Sequence, residues 1–166
     1  MKFILVDRID ELEPGKRIVA RKALTLAEEY LQDHFPRFPV LPGVLMLEAL
    51  VQASAWLVRA SLDFRPSLIV LKEARNVTYK SFLAPGQVLI LEATAREITE
   101  SQSEFNASGS VGGKEIVRAR LTLRHLSLAE HQPGVSELVE RLRHRMRSLF
   151  GLLWTGKQTP AQMAVV

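Results

Sequence analysis

The chain has 166 residues and a formal net charge of +4, with 47% apolar and 24% charged side chains. These values are typical of one globular domain with a small appendage, and they exclude a disordered or fibrous chain and a large multidomain protein. The sequence contains no cysteine, which excludes disulfides and thiolate metal sites and favours a cytoplasmic location. The net charge is too small to indicate a nucleic-acid partner.

The first segments of the chain have the character of β-strands. Residues 3–9 and 17–23 are short β-branched runs, and the Glu-Pro-Gly-Lys sequence between them predicts the turn of a hairpin. Thr25 and Glu28 form a capping-box pattern, which predicts a short helical turn over residues 26–31.

A stiff loop and a long apolar helix follow. Three prolines lie in the ten residues from His34 to Gly43, which predicts an extended loop of little freedom. Residues 44–60 contain no glycine or proline and are apolar almost all the way round, which predicts a helix inside the protein. Polar residues such as Glu48 and Gln52 interrupt this stretch, so it lacks the uninterrupted apolar run of a membrane span.

The rest of the body has strand character again. Four runs of strand character, partly separated by Pro-Gly and Gly-Gly pairs, predict an antiparallel meander. The runs cover residues 68–79, 88–98, 103–111 and 115–126. One sheet and one buried helix predict an α+β domain, over residues 1–133, in which the sheet wraps the helix.

A basic appendage over residues 134–166 follows the body. This segment carries 5 basic and 2 acidic side chains, whereas residues 1–133 carry 17 and 16. Residues 136–154 predict an amphipathic helix whose apolar positions are Leu138, Leu142, Met146, Leu149, Phe150 and Leu153. We expect this apolar face to pack on the protein's own surface or on a neighbouring subunit, and contact with a membrane surface or with an acidic partner is an alternative.

Three residues of the central region point to chemistry. Glu48 is the only carboxylate of the apolar helix, where an unpaired charge costs several kcal/mol. Gln52 lies one turn further on the same face, so its amide can bind the carboxyl group and fix its orientation. His34 begins the stiff loop that leads to this helix, and an imidazole held beside a carboxyl group is a typical acid/base pair.

Gly43, at the predicted start of the helix, adds a group that can polarise a carbonyl. The first N–H groups of a helix have no internal acceptor and lie at the positive end of its dipole. Glycine also lets a substrate approach the backbone closely. Taken singly, His34 as a packed loop residue, Gly43 as a helix start and Gln52 as a surface amide are ordinary. Taken together with Glu48, they favour a catalytic site.

The spacing of these residues is specific. It reads His34-Phe-Pro-x-x-Pro-Val-x-Pro-Gly43-Val-Leu-x-x-Glu48-Ala-x-x-Gln52. This pattern resembles the active-site segment of the bacterial 3-hydroxyacyl-acyl-carrier-protein dehydratases, which have the hot-dog fold. Further similarity at the Leu-Val-Asp-Arg sequence of residues 5–8 and at Glu-Ala-Arg of residues 73–75 extends the resemblance to about residues 3–126.

The resemblance implies a fold, an assembly and a reaction. The sheet would curl around the central helix, and two chains would form a homodimer in which His34 of one subunit faces Glu48 of the other, with a trimer of dimers as an alternative. The substrate would be an acyl chain on the phosphopantetheine arm of acyl carrier protein. His34 would remove the C2 proton, Glu48 would protonate the departing C3 hydroxyl, Gly43 would polarise the thioester carbonyl, and Gln52 would orient Glu48.

Other functions and other partners are weighed against this one. A hot-dog acyl thioesterase would use water to attack the thioester carbonyl, and a non-catalytic module would only hold acylated carrier protein. We expect no cofactor and no metal, because the remaining histidines, His125, His131 and His144, lack the spacing of metal ligands. The basic residues of the body that could contact an acidic carrier protein are Arg37, Lys72, Arg75 and Lys80.

Overall fold

A computed structural model describes residues 4–32, 34–35, 37–127 and 135–154. His131 lies outside these ranges. The described residues form six strands and two α-helices, together with a 3-10 turn at Glu29–Leu31. The strands are β1 (Arg8–Glu13), β2 (Arg17–Ala23), β3 (Leu68–Tyr79), β4 (Val88–Ile98), β5 (Gln102–Val111) and β6 (Lys114–Leu126), and the helices are α1 (Gly43–Ser61) and α2 (Ser136–Leu153).

The strands form one antiparallel sheet in the order β1-β2-β4-β5-β6-β3. α1 lies against the sheet and contacts β2, β3, β4, β5 and β6. Its apolar side chains and the inward faces of the strands make one core, in which the fully buried side chains include Leu50, Leu57, Leu89, Leu91 and Leu121. The α+β hot-dog architecture predicted from the sequence is therefore confirmed.

The composition of α1 reflects its position. The helix has 19 residues and a mean hydropathy of 1.3, so its length and composition alone would allow it to cross a membrane. In this chain half of that stretch is buried against the sheet, as in the core helix of a globular protein. The helix ends where Asp63 and Phe64 take left-handed backbone conformations, with φ of 50° and 58°.

The first strand differs from the prediction. β2, β3 and β4 have the predicted bounds, but β1 begins at Arg8 rather than at residue 3, and it continues through the polar sequence Asp-Glu-Leu-Glu. β1 is an edge strand, and its pairing with β2 shifts register between Ile9 and Glu11. Polar residues at an exposed edge and a bulge together remove the alternation that reveals a strand in a sequence.

The predicted capping box is also wrong. The turn at Glu29–Leu31 has no side-chain cap, and Thr25 and Glu28 are joined only through the backbone. The carboxylate of Glu28 instead accepts a hydrogen bond of 2.6 Å from Lys22 in β2. Glu28 therefore pairs with Lys22 of β2 and does not cap the turn.

α2 packs on the body through aromatic side chains. The Phe150 ring lies 6.0 Å from Trp56, 5.5 Å from Phe64 and 6.3 Å from Trp154, between ring centroids. Trp154 also forms a backbone bridge with Ile9 of β1, so the end of this helix reaches the edge strand. The predicted packing of the apolar face is confirmed at Met146, Leu149, Phe150 and Leu153. It is wrong at Leu138, which is 49% exposed while the neighbouring Val139 is buried.

Two of the arginines on α2 hold the turn that ends α1. Arg147 donates a 2.8 Å hydrogen bond to the Asp63 carboxylate, and its guanidinium lies 5.4 Å from the centre of the Phe64 ring. Arg143 donates to the Phe64 carbonyl at 3.3 Å and to Glu140 at 2.6 Å. These contacts use part of the basic face within the chain, which reduces the charge available to an outside partner.

Replacing Phe150 by alanine tests the packing of α2. We expect the free energy of unfolding to fall by about 2–4 kcal/mol, because a half-buried ring loses three aromatic neighbours and leaves a cavity. Leu152 lies on the same helix and is 79% exposed, so Leu152→Ala is the matched control. It changes the free energy of unfolding by less than about 0.5 kcal/mol. Urea unfolding measures both, and a small effect for Phe150→Ala would contradict a stabilising role for α2.

Candidate active site

Gln52 holds the carboxyl group of Glu48, as their spacing on α1 predicts. Gln52 Nε2 donates a hydrogen bond of 2.9 Å to Glu48 Oε1. The oxygen of the same amide accepts the N–H of Leu5, also at 2.9 Å, and Leu5 is only 2% exposed. The amide is therefore held at both ends. Glu48 itself is half-buried, and within the described part of the chain its second oxygen accepts no hydrogen bond.

Gly43 is the first residue of α1, directly after Pro42. The hydrogen bonds of the helix begin with the N–H groups of Leu45 and Met46, which donate to the Pro42 carbonyl at 2.9 and 3.2 Å. The Gly43 N–H precedes these bonds and lies at the positive end of the helix dipole. Glu48 is five residues, or about 7.5 Å of helix rise, further on.

Tyr79, at the end of β3, is a site residue that the sequence analysis missed. Its ring is so close to Gly43 that a Cβ at residue 43 would lie 3.2 Å from the Tyr79 Cε1. Burial raises the pKa of this phenol, which is still 45% exposed. Nothing local in the sequence marks Tyr79, because only the return of β3 beside the start of α1 brings the two residues together.

His34 lies in the loop between the 3-10 turn and α1, and it is half-buried. Its ring contacts the Phe35 ring edge-to-face, at 4.6 Å between centroids. Phe35 has a left-handed backbone, with φ of 51°, and its carbonyl accepts the N–H of Phe38 at 2.7 Å. Such a conformation is strained for a bulky residue, and strain of this kind clusters at functional sites.

The structure joins two of the four predicted site residues directly, Glu48 and Gln52. Glu48, Gln52 and Gly43 share α1, whereas no hydrogen bond or ring contact among the described residues joins His34 to any of them within one chain. Within one chain, α1 thus carries the Glu48 carboxyl group and the Gln52 amide. The His34 imidazole lies in the loop before this helix.

Large apolar side chains are exposed around the loop and the start of α1. Four of them, which we call the apolar rim, are exposed by 58–70%: Phe35, Phe38, Val44 and Phe82. The rings of Phe38 and Phe82 meet edge-to-face at 5.8 Å between centroids. Apolar side chains clustered at a surface in this way mark a site of binding or assembly.

Two other groups of polar residues that the structure describes lie apart from the predicted site residues. His125 is buried and lies 2.9 Å from Ser103 Oγ through Nε2, and burial lowers the pKa of its imidazole. A cavity of about 600 Å³ on the sheet is lined by polar side chains such as Thr94, Asn106 and Arg120, and it contains none of the predicted site residues. The described residues include no group of three or more histidines and carboxylates that could hold a metal ion.

The chain is similar in sequence to known proteins over most of its length. Residues 1–120 match the model of the FabA-like domain. A 3-hydroxyacyl-acyl-carrier-protein dehydratase FabZ from Pediococcus pentosaceus is 37% identical over 120 residues, which cover 72% of this chain and 80% of that protein. The FabZ dehydratase of Ruminiclostridium cellulolyticum is 36% identical over 124 residues, which cover 72% and 87%. The family match ends before α2 begins.

Solved structures share the fold at low sequence identity. The dehydratase heterocomplex ApeI:P from Xenorhabdus doucetiae has a TM-score of 0.65 and 20% identity, over 77% of this chain and 86% of that chain. A hypothetical thioesterase with coenzyme A from Streptococcus pneumoniae has a TM-score of 0.55 and 12% identity, over 72% and 88%. One fold accommodates different reactions, so these similarities establish the architecture only. The reaction has to be inferred from the residues of the site.

Replacing Gln52 by leucine tests whether its amide holds the site together. We expect the free energy of unfolding to fall by about 1–3 kcal/mol, because the buried N–H of Leu5 loses its acceptor and Glu48 loses its donor. Gln102 binds Lys72 at the surface, at 2.8 Å, so Gln102→Leu is the matched control, expected to change the free energy by less than about 0.5 kcal/mol. Urea unfolding of both variants decides. Equal effects would mean that the Gln52 amide is not a special anchor.

Proposed function

The chain belongs to the FabA-like family, and we propose that it is a 3-hydroxyacyl-acyl-carrier-protein dehydratase of fatty acid biosynthesis. The observation that carries this proposal is the oriented carboxyl group of Glu48, held by Gln52 on the helix whose first amide belongs to Gly43. Relatives named as FabZ dehydratases, at 34–37% identity, support it. We propose that residues 1–133 form the dehydratase domain and residues 134–166 its C-terminal extension.

The Gly43 amide and Glu48 act on two different atoms of the substrate. The Gly43 N–H donates a hydrogen bond to the thioester carbonyl oxygen, which gains negative charge when the C2 proton leaves. The carboxyl group of Glu48, in its protonated form, donates to the C3 hydroxyl. The hydrogen bond from Gln52 holds the carboxyl group in one orientation, so its other oxygen is available for the substrate.

His34 and Glu48 divide the proton transfers. The imidazole of His34 takes the C2 proton, and the electron pair of the broken C–H bond becomes the second bond between C2 and C3. The C3–O bond breaks, Glu48 gives its proton to the leaving hydroxyl, and the products are a trans-2-enoyl thioester and water. His34 is then protonated and Glu48 ionised, so transfer of one proton from imidazole to carboxylate through solvent restores the starting state.

We propose that the working unit is a homodimer in which His34 of one chain faces Glu48 of the other. Three features support this arrangement. Among the described residues of one chain, no hydrogen bond or ring contact joins His34 to Glu48. The apolar rim includes the residues that follow His34 and Gly43, and β3 is an edge strand with Leu68, Leu71 and Tyr79 exposed. Pairing of β3 with its copy would extend the sheet and cover the exposed apolar side chains.

We propose that the substrate arrives on acyl carrier protein and that the enzyme is cytoplasmic. Of the four basic residues considered for carrier docking, Lys72 binds Gln102, Arg75 binds Glu73 and Lys80 binds Glu115. Arg37, in the loop after His34, is exposed and forms no ion pair with any residue that the structure describes. Of these four basic residues, Arg37 is therefore the one best placed to attract an acidic carrier protein.

Alanine substitutions at His34 and Glu48 test the proposal. Each variant should convert a 3-hydroxyacyl carrier-protein thioester to the enoyl thioester at least about a hundredfold more slowly, because each loses one proton-transfer group. His144→Ala and Glu97→Ala are controls, since both residues are exposed and lie on other elements. Mass spectrometry of the carrier-bound product gives the rate. Near-normal turnover in either site variant would remove that residue from the mechanism.

The same assay separates the dehydratase from the thioesterase. Loss of 18 mass units from the intact acyl carrier protein is the expected result, since dehydration removes one water and leaves the thioester in place. Release of free carrier thiol without any enoyl thioester would favour thioester hydrolysis. Binding of acylated carrier protein without either product would favour a non-catalytic module.

Mixing the two inactive variants tests the arrangement of the dimer. A mixed dimer of His34→Ala and Glu48→Ala chains contains one site with both residues intact and one site with neither. After subunit exchange, half of the dimers are mixed, so we expect recovery of about a quarter of the wild-type activity. Each variant incubated alone is the control. Absence of recovery, with exchange verified by native mass spectrometry, would show that each site uses His34 and Glu48 of the same chain.

A further inference from the structure

Lys22 is a buried lysine that the proposed reaction does not use. It lies in β2 on the same face as Ile18 and Ala20, directed toward the core, and it is only 3% exposed. A buried ammonium group is tolerated when oppositely charged groups contact it. The Nζ of Lys22 lies 2.6 Å from a Glu28 carboxylate oxygen and 3.5 Å from an Asp7 carboxylate oxygen.

The two carboxylates belong to different segments, so Lys22 joins three parts of the chain. Asp7 precedes β1, and its backbone N–H donates to the Arg21 carbonyl at 2.8 Å. Its carboxylate accepts the N–H of Ala23 at 2.7 Å. Glu28 precedes the 3-10 turn. Burial of Tyr30 in this turn raises the pKa of its phenol, and the nearby charge of Glu28 raises it further.

This cluster lies next to the segment that carries His34. Leu31, at the end of the 3-10 turn, is buried, and His34 follows three residues later. Beyond His34 the chain is anchored again at Leu41, which is buried and donates to the Leu83 carbonyl at 2.9 Å. The ion pair of Lys22 with Glu28 therefore lies six residues before His34, at the near end of the segment that reaches Leu41.

The same N-terminal segment also reaches the other half of the site. Leu5, whose N–H is bound to the Gln52 amide, is two residues from Asp7. Leu5 and Val6 are both buried, so the segment between the two contacts is packed into the core. One short stretch thus contacts the residue that orients Glu48 and the cluster beside the His34 segment.

We propose that Lys22 is a positioning residue, which holds the His34 segment through Glu28 and Asp7. Its effect on catalysis rests on the proposed function, whereas its effect on the order of the segment does not. Lys22→Met removes the ammonium group and keeps most of the side-chain volume, and Lys22→Arg keeps the charge. The matched control is Lys16→Met, because Lys16 also pairs with a glutamate, Glu13, but lies exposed in the turn between β1 and β2.

The kinetic test compares kcat and KM for the carrier-bound substrate. Lys22→Met should lower kcat by about 10- to 100-fold and change KM by less than about threefold, since a misplaced base slows proton transfer while the substrate is still bound. Lys22→Arg should recover most of the loss, and Lys16→Met should behave as wild type. An unchanged kcat in Lys22→Met would overturn the proposal. A fall in kcat no larger than the unfolded fraction of the variant explains would also overturn it.

Amide hydrogen exchange tests the position of the segment without any assay of activity. In Lys22→Met the amides of residues 29–35 should exchange at least about tenfold faster, while those of residues 46–58 in α1 keep their protection. Unchanged exchange in residues 29–35, or equally faster exchange throughout, would refute a positioning role. If wild-type protein shows no dehydration, the proposed function fails, and the exchange result still decides the role of Lys22.

Discussion

The site depends on one side-chain amide that is bound at both ends. A carboxyl group among the apolar side chains of α1 needs a fixed donor, and Gln52 supplies it from one helical turn away. Gln52 in turn is held by the backbone N–H of Leu5, so Leu5 supports the candidate site although it carries none of its chemistry. The packing of Leu5 and Val6 into the core thereby limits the orientations open to Glu48.

Local patterns in the sequence predicted the starts of several elements and one hydrogen bond within α1. Glycine or proline lies just before the observed starts of β2, β3, β4 and α1, although α1 extends one residue beyond the prediction at each end. The spacing of four residues between Glu48 and Gln52 predicted their hydrogen bond. Two of the misses, at Glu28 and Tyr79, involve a partner on another element of the fold. Glu28 was assigned to a cap but binds Lys22, and Tyr79 meets Gly43 only because β3 returns past the start of α1. The relation of His34 to Glu48 stays a prediction, since it concerns two chains.

The two edges of the sheet differ, and this difference fits the proposed pairing of β3 with its copy. An unpaired edge strand exposes a row of backbone donors and acceptors that can bind another chain. The edge at β1 carries polar side chains, a bulge and the bridge from Trp154 at the end of α2. The edge at β3 has exposed leucines. The appendage, which lies beyond the match to the family model, thus protects one edge while the other stays open.

The amide of Gly43 differs in kind from the other groups of the site. In the proposed mechanism Glu48, Gln52 and His34 act through side chains, which a single substitution can delete. The Gly43 N–H belongs to the main chain, so every residue except proline would retain it. What a larger residue changes is the space in front of the amide, because its Cβ would lie 3.2 Å from the Tyr79 ring. During evolution this part of the site can be obstructed far more easily than it can be lost, and a compensating change at Tyr79 could reopen it.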